Sequence, residues 1–243
     1  MTSPARPELP VAVVTGCTRG IGRAIAEDLA PTHHVVVGGR TEESVARVVG
    51  ALPSAEGFVA DLVDCGPGGS LETALADLVP RLPRVDVLVH SAGVLHRGLI
   101  ADLPATDWDA AMRVNVVAVA AVTRALLPAL RAAQGLVLAI NSGAGLTSTP
   151  TMGPYCASKF ALRAFTDALR EEERENGVRV TSVHPGRVDT DMQHEMNDFE
   201  GGPYQPEDYL QVESVVRAVR LAVDASDEAC IDMVSVRPRG FRV

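Results

Sequence analysis

Short β-branched runs alternate with helix-period segments along almost the whole of this 243-residue chain, and that alternation narrows its fold more than any other feature. The runs Val11–Thr15, His34–Val37, Gly57–Ala60, Val85–His90, Leu136–Ser142, Val178–His184 and Ile231–Val236 are continuously apolar, as expected of parallel strands covered on both faces. Between them Gly20–Ala30, Glu42–Ala51, Gly69–Arg81, Thr106–Ala133, Tyr155–Asn176 and Val212–Ala225 carry helical periodicity. A βαβα order of this kind specifies an α/β fold: a doubly wound parallel sheet of about seven strands, with helices on both faces. No internal repeat or linker interrupts it. The expected organisation is one domain over residues 11–243, preceded by a flexible arm over residues 1–10 that holds three prolines.

Composition removes several function classes. The chain has 31 acids against 22 bases, and 47% of it is apolar. An acidic chain without a basic run is a poor nucleic-acid binder, because phosphates are neutralised by clustered Lys and Arg. No apolar stretch is expected to span a membrane, and the N-terminus lacks a signal peptide's apolar region. Cys17, Cys65, Cys156 and Cys230 form no CxxC, and the six histidines show no metal-ligand spacing, so no metal is expected. These features point to the cytoplasm. One bias matters for the chemistry: among the 22 bases the only lysine is Lys159.

The first strand runs into Gly16-Cys17-Thr18-Arg19-Gly20-Ile21-Gly22, followed at once by a helical pattern. Glycines there permit a tight turn and let a pyrophosphate approach the helix N-terminus, where free N–H groups and the helix dipole favour an anion. An acid about 20 residues further on suits the ribose of NAD, and an arginine suits the 2′-phosphate of NADP. The second strand ends in Gly38-Gly39-Arg40, so the tip carries a cation, and Arg19 is a second one. The expected cofactor is NADP(H), with NAD(H) the less favoured choice. Asp61 and Leu62 follow the third strand where an adenine would lie. Ala92 and Gly93 end the fourth strand with small residues beside the ligand.

Ser142 ends the fifth strand, and Tyr155 and Lys159 stand four residues apart in a helical segment, on one face. A free tyrosine has a pKa near 10 and is a sluggish proton donor at neutral pH. A nearby ammonium is expected to lower it towards a useful range, while a serine hydroxyl polarises a carbonyl oxygen. Lysine at this one position, in a chain otherwise built with arginine, suggests a need for a compact ammonium.

Taken together, Thr15-Gly16-Cys17-Thr18-Arg19-Gly20-Ile21-Gly22, His90-Ser91-Ala92-Gly93, Asn115, Ser142, Tyr155-Cys156-Ala157-Ser158-Lys159 and Pro185-Gly186-Arg187-Val188-Asp189-Thr190 resemble the short-chain dehydrogenase/reductase family, in its single-domain branch of about 250 residues. The resemblance implies a Rossmann fold and a role for each matching residue. Tyr155 would be the proton donor and acceptor, Lys159 would tune it and bind the nicotinamide ribose, and Ser142 would orient the carbonyl. Asn115 would hold a water linked to Lys159. Pro185, Gly186, Val188 and Thr190 would border the nicotinamide, with Thr190 at its carboxamide. One departure shows: His90-Ser91 stands where the family commonly has Asn-Asn.

The implied activity is NADP(H)-dependent interconversion of a ketone or aldehyde and an alcohol by direct hydride transfer. The rival is an NADP(H)-binding redox sensor without turnover, whose mark would be a broken Ser/Tyr/Lys set; here the set is intact. Residues 187–210, with Met192, Met196, Phe199, Tyr204 and Tyr209 around Gly201-Gly202-Pro203, read as a lid over a small-molecule carbonyl or alcohol substrate. The stretch from Met112 to Leu130 is apolar nearly all round. One side faces the sheet, and the other faces either neighbouring helices or a second subunit, as in a homodimer or homotetramer.

Overall fold

A computed structural model describes residues 9–239. The strands are β1 (Val11–Thr15), β2 (His34–Gly39), β3 (Ala55–Val59), β4 (Val87–His90), β5 (Leu136–Ile140), β6 (Arg179–Pro185) and β7 (Met233–Val236). They form one parallel sheet in the order β3-β2-β1-β4-β5-β6-β7. The doubly wound fold expected from the alternation is therefore present. Of the arm expected over residues 1–10, the first eight lie outside the described residues.

The sheet is buried on both faces because successive side chains point opposite ways. Ala12 and Val14 of β1 pack in one cluster with Ile25 and Leu29 of α1 (Gly20–Leu29), Val45 and Val48 of α2 (Glu42–Val49), and Val215 and Val219 of α8 (Val212–Val223). Val13, between them, packs on the other face with Leu75 of α3 (Ser70–Leu78) and Leu126 and Leu130 of α5 (Ala118–Ala133). Leu126 is wholly buried. Truncating such a leucine to alanine costs about 2–5 kcal/mol.

The chain winds outward from β1 through β2 to β3, crosses back, and continues from β4 on the other side. The crevice beyond the carboxyl ends of β1 and β4 is thus the switch point where such sheets bind ligands.

The helix expected over Thr106–Ala133 is broken differently from that reading. It consists of α4 (Ala105–Met112), a π-helical turn (Arg113–Val117) and α5. A π turn adds a residue to the repeat and recurs at functional sites; here it holds Asn115. The run Ala105–Ala133 holds an 18-residue window with a mean hydropathy of 1.6, which by length and composition alone is apolar enough to cross a membrane and corrects the expectation that no stretch qualifies. Its inner side, with Val122, Leu126 and Leu130, is core. Val117, on its outer side, is 47% exposed.

Candidate active site

One cleft of about 740 Å³ opens along the carboxyl ends of the strands. The β1–α1 turn lines it with Gly16, Thr18, Arg19, Gly20, Ile21 and Gly22. Gly16 has φ +65°, and a Cβ there would stand 2.5 Å from Ala92 Cα, so the turn can lie against the end of β4 only as glycine. A Cβ on Gly22 would stand 2.4 Å from the Gly16 carbonyl oxygen, which forces close packing of α1 on its own entry turn. Arg19, at the N-cap, gives no side-chain cap to α1. The first N–H groups of the helix are thereby left for an anion.

Arg40, exposed just beyond β2, and Asp61 and Leu62, just beyond β3, line the same cleft on the β2–β3 side. Asp61 is held in place: its N–H donates to Ser70 Oγ at 3.0 Å, and its Oδ1 accepts from Val63 N at 3.0 Å. Arg19 Nη1 donates to Asp191 Oδ2 at 3.2 Å across the mouth, with both side chains about two-thirds exposed (68% and 66%). Such a pair is weak and exchangeable.

At the other end, Ser142 follows β5, and Tyr155 and Lys159 lie on α6 (Gly153–Glu173), where the helical repeat puts them one turn apart. Ser142 lies near enough to the Tyr155 hydroxyl to favour its ionised form. Ser142 Oγ accepts from Ala144 N at 3.1 Å. Lys159 Nζ lies 5.6 Å from the Tyr155 ring centroid and donates to the Ile140 carbonyl at 3.0 Å. Burial lowers Lys159 from its ordinary value to about 8. Burial also pushes Tyr155 up, with Ser142 working the other way and Cys156 adding a little to the rise. The sequence leads one to expect the ammonium to lower the tyrosine; in this structure the net direction is upward, and burial is its largest cause.

Asn115 alone among the residues expected for catalysis and cofactor binding does not line the cleft. It is fully buried behind it, where Nδ2 donates to Val94 O at 3.0 Å and to Ser158 Oγ at 2.9 Å, and Oδ1 accepts from Val94 N at 3.0 Å. It therefore braces the loop after β4 against α6. Gly93 keeps the space beside it open: a Cβ there would stand 3.4 Å from Asn115 Oδ1 and 3.8 Å from Lys159 Nζ. Ala92, Pro185, Gly186, Val188 and Thr190 line the cleft at this end too. His90, the departure noted above, is fully buried with Nε2 2.8 Å from Thr123 Oγ1, and burial lowers it to about 3.

Two supports escaped the sequence reading. His184 Nδ1 donates to the Ser142 carbonyl at 2.9 Å, which fixes the tautomer so that Nε2 accepts from Ser182 Oγ at 2.8 Å. Asn141 Nδ2 donates to the Lys159 carbonyl at 3.2 Å. Both hold the backbone that carries Ser142 and Lys159.

The segment read as a lid contains a helix, α7 (Asp191–Glu200), with Met192, Gln193 and Met196 lining the cleft. Thr190 caps it, its Oγ1 accepting from Gln193 N at 3.4 Å, and Gly201 ends it at φ +74°. Beyond it Tyr204 donates to Asp189 Oδ1 at 2.5 Å and stacks between His194 and Tyr209. Glu200 accepts from Arg97 at 2.8 Å and from Arg187 at 2.6 Å, so α7 is tied to loops on both sides of the cleft. Those arginines hold the Glu200 carboxyl below its ordinary value. Phe199 lies outside the cleft, 55% exposed, under the Arg97 guanidinium.

The family model for short chain dehydrogenases matches residues 10–201. The chain belongs to the short-chain dehydrogenase/reductase family. An uncharacterized oxidoreductase of Staphylococcus epidermidis is 30% identical over 230 residues, 94% of this chain and 96% of that one. Among solved members of the family, an alcohol dehydrogenase from the archaeon Thermococcus sibiricus, complexed with 5-hydroxy-NADP, superposes with a TM-score of 0.85 at 26% identity, covering 97% of this chain and 99% of its own. The actinorhodin polyketide ketoreductase with NADPH gives a TM-score of 0.85 at 28% identity over 95% and 96% of the two chains. This short-chain dehydrogenase/reductase thus shares its fold, over nearly its whole length, with members solved with NADPH or 5-hydroxy-NADP.

Proposed function

We propose that this protein is an NADP(H)-dependent carbonyl reductase, interconverting a small ketone or aldehyde and its alcohol. The observation that carries the reading is that one cleft has Arg19 and Arg40 at one end and Ser142, Tyr155 and Lys159 at the other. The glycine turn, too tight for any Cβ at Gly16, and the uncapped start of α1 fit a pyrophosphate between those ends. Arg19 and Arg40 suit the 2′-phosphate of the adenosine, with Asp61 and Leu62 at the adenine and Ala92, Gly93, Pro185, Gly186, Val188 and Thr190 around the nicotinamide. NADPH, when bound, supplies the hydride.

The chain's own residues do the rest. Tyr155 hands its proton to the substrate oxygen as that oxygen gains charge, and Ser142 donates a hydrogen bond to the same atom. Lys159, protonated at neutral pH because its value stays near 8, offsets the phenolate that Tyr155 becomes. Asn115 Oδ1 and Lys159 Nζ face the gap that Gly93 leaves, so a water there would return the proton to Tyr155. Residues 187–210 close over the substrate, α7 bringing Met192 and Met196 to it. The exposed apolar side chains of Val117, before α5, and Phe160, on α6, belong to a face covered by a second copy in a homo-oligomer.

The test is titration with NADPH and with NADH, followed by a carbonyl panel read at the nicotinamide absorbance. NADPH is expected to bind more tightly and to be consumed with at least one ketone. Equal or better binding of NADH removes the cofactor assignment, and binding without turnover across the panel favours the sensor.

A further inference from the structure

Four arginines line the cleft: Arg19, Arg40, Arg187 and Arg237. Arg19 is held by Asp191, and Arg187 by both carboxylate oxygens of Glu200. Arg40 and Arg237 have no acidic partner among the described residues. Arg40 has a task in the cofactor reading, at the 2′-phosphate. Arg237, exposed at the opposite end of the cleft, has none. The two acids on the lining, Asp61 beyond β3 and Asp191 against the glycine turn, both stand on the cofactor side and leave its charge without an offset.

The register of the sheet fixes where Arg237 stands. Ile140 of β5 pairs with Val183 of β6, and Pro185 of β6 pairs with Val236 of β7. Ser142 and Val236 therefore lie in one row, two strands or about 10 Å apart, and Arg237 is the next residue. Gly186 lets the two chains close up there: its N–H donates to the Val236 carbonyl at 2.7 Å, and a Cβ on it would stand 3.5 Å from Arg237 Cα. Val234 and Val236 pack with the α8 cluster, so the strand's alternation turns Arg237 to the other face, where α6 covers Ala139 with Leu162 and carries Tyr155. The glycine turn follows β1, four strands or about 19 Å from β7, farther than one side chain reaches. The anion that Arg237 can meet is thus not the pyrophosphate.

We infer that Arg237 sets substrate preference by pairing with an anionic group, a carboxylate or a phosphate, carried a short chain away from the reacting carbonyl. The substrate class is then a keto acid or a phosphorylated ketone rather than a neutral one. A guanidinium meets either anion through two parallel N–H bonds, which orients the ligand as well as holding it. The inference rests on the carbonyl-reductase reading above and adds the charge of the substrate.

The experiment sets two anionic ketones against neutral partners in the NADPH-dependent assay. Levulinate is compared with 5-methyl-2-hexanone, in which an isopropyl group replaces the carboxylate, and dihydroxyacetone phosphate with dihydroxyacetone. Arg237→Met and Arg237→Gln are measured beside the wild type, with NADPH affinity and Tm recorded for each. In both variants kcat/KM for at least one anion is expected to fall about tenfold relative to its neutral partner, with NADPH affinity held. Intrinsic reactivity cancels between variant and wild type, and the pair that responds tells carboxylate from phosphate. Ratios unchanged in both pairs overturn the inference and leave the reductase reading standing, as does a wild type that reduces the neutral ketones and neither anion. A loss of NADPH affinity overturns it by making Arg237 a cofactor ligand. Absence of turnover with every ketone of the panel takes away the reductase reading, and this inference with it.

Discussion

Lys159 Nζ donates to the Ile140 carbonyl at 3.0 Å while lying 5.6 Å from the centroid of the Tyr155 ring, so the chain's one lysine is anchored to the end of β5 as well as paired with the tyrosine. The anchor explains why a buried ammonium stays in place. Burial is the largest cause of the tyrosine's upward shift in this structure. Placing a cation here costs stability, and that cost depends on pH.

Lys159 titrates near 8 when folded against 10.5 when free. The unfolded chain therefore binds more protons between those values, and stability rises with pH across that window. The lysine's unfavourable contribution is fully present below pH 8 and is lost by pH 10.5. A shift of this size corresponds to about 3 kcal/mol. Urea unfolding of wild type and Lys159→Met at pH 7 and at pH 10.5 should show the wild type gaining that amount relative to the variant. Parallel pH profiles would contradict the assignment of the shift to Lys159.

His90 gives the acid counterpart. Buried and neutral, it titrates near 3 when folded against 6.5 when free. The unfolded chain takes up the proton first as pH falls, so stability is lost between pH 6.5 and pH 3. His90→Asn should lack that loss, which is at most about 5 kcal/mol. Acid unfolding midpoints measure it: the variant's midpoint is expected at lower pH, and a midpoint equal to the wild type's would mean that other groups govern acid unfolding.

The cofactor end makes a charge prediction. Arg40→Ala should weaken NADPH binding about tenfold while NADH binding changes little, because only NADPH carries the 2′-phosphate. Asp191→Asn should tighten NADPH a few-fold at low salt, since Arg19 is released from a pair whose side chains are 68% and 66% exposed. Salt should erase that gain. Isothermal titration at two ionic strengths decides, and an Asp191→Asn affinity unchanged at low salt would show that Arg19 does not meet the cofactor.

What the sequence made legible was local. β1 with its glycine turn, and the Tyr155–Lys159 pair, are written in adjacent residues whose spacing alone sets their geometry. The helix α7 was also written, as Thr190 with Gln193 three residues on and Gly201 as a stop, but Gly201-Gly202-Pro203 reads as loop and drew attention from the cap. The His184 and Asn141 supports were not legible, because each joins residues brought together only by sheet pairing. Nor was the direction of the Tyr155 shift, which depends on burial. The π turn at Asn115 has no composition cue, since Arg113–Val117 carries ordinary helical residues.

The most direct test is Tyr155→Phe, which removes one hydroxyl and leaves the ring that fills the wall. NADPH affinity should stay close to that of the wild type, while kcat with a ketone substrate falls about 10²–10⁴-fold, the range for loss of a positioned proton donor. A Tyr155→Phe enzyme that keeps the wild-type rate would contradict the proton-transfer account at its centre.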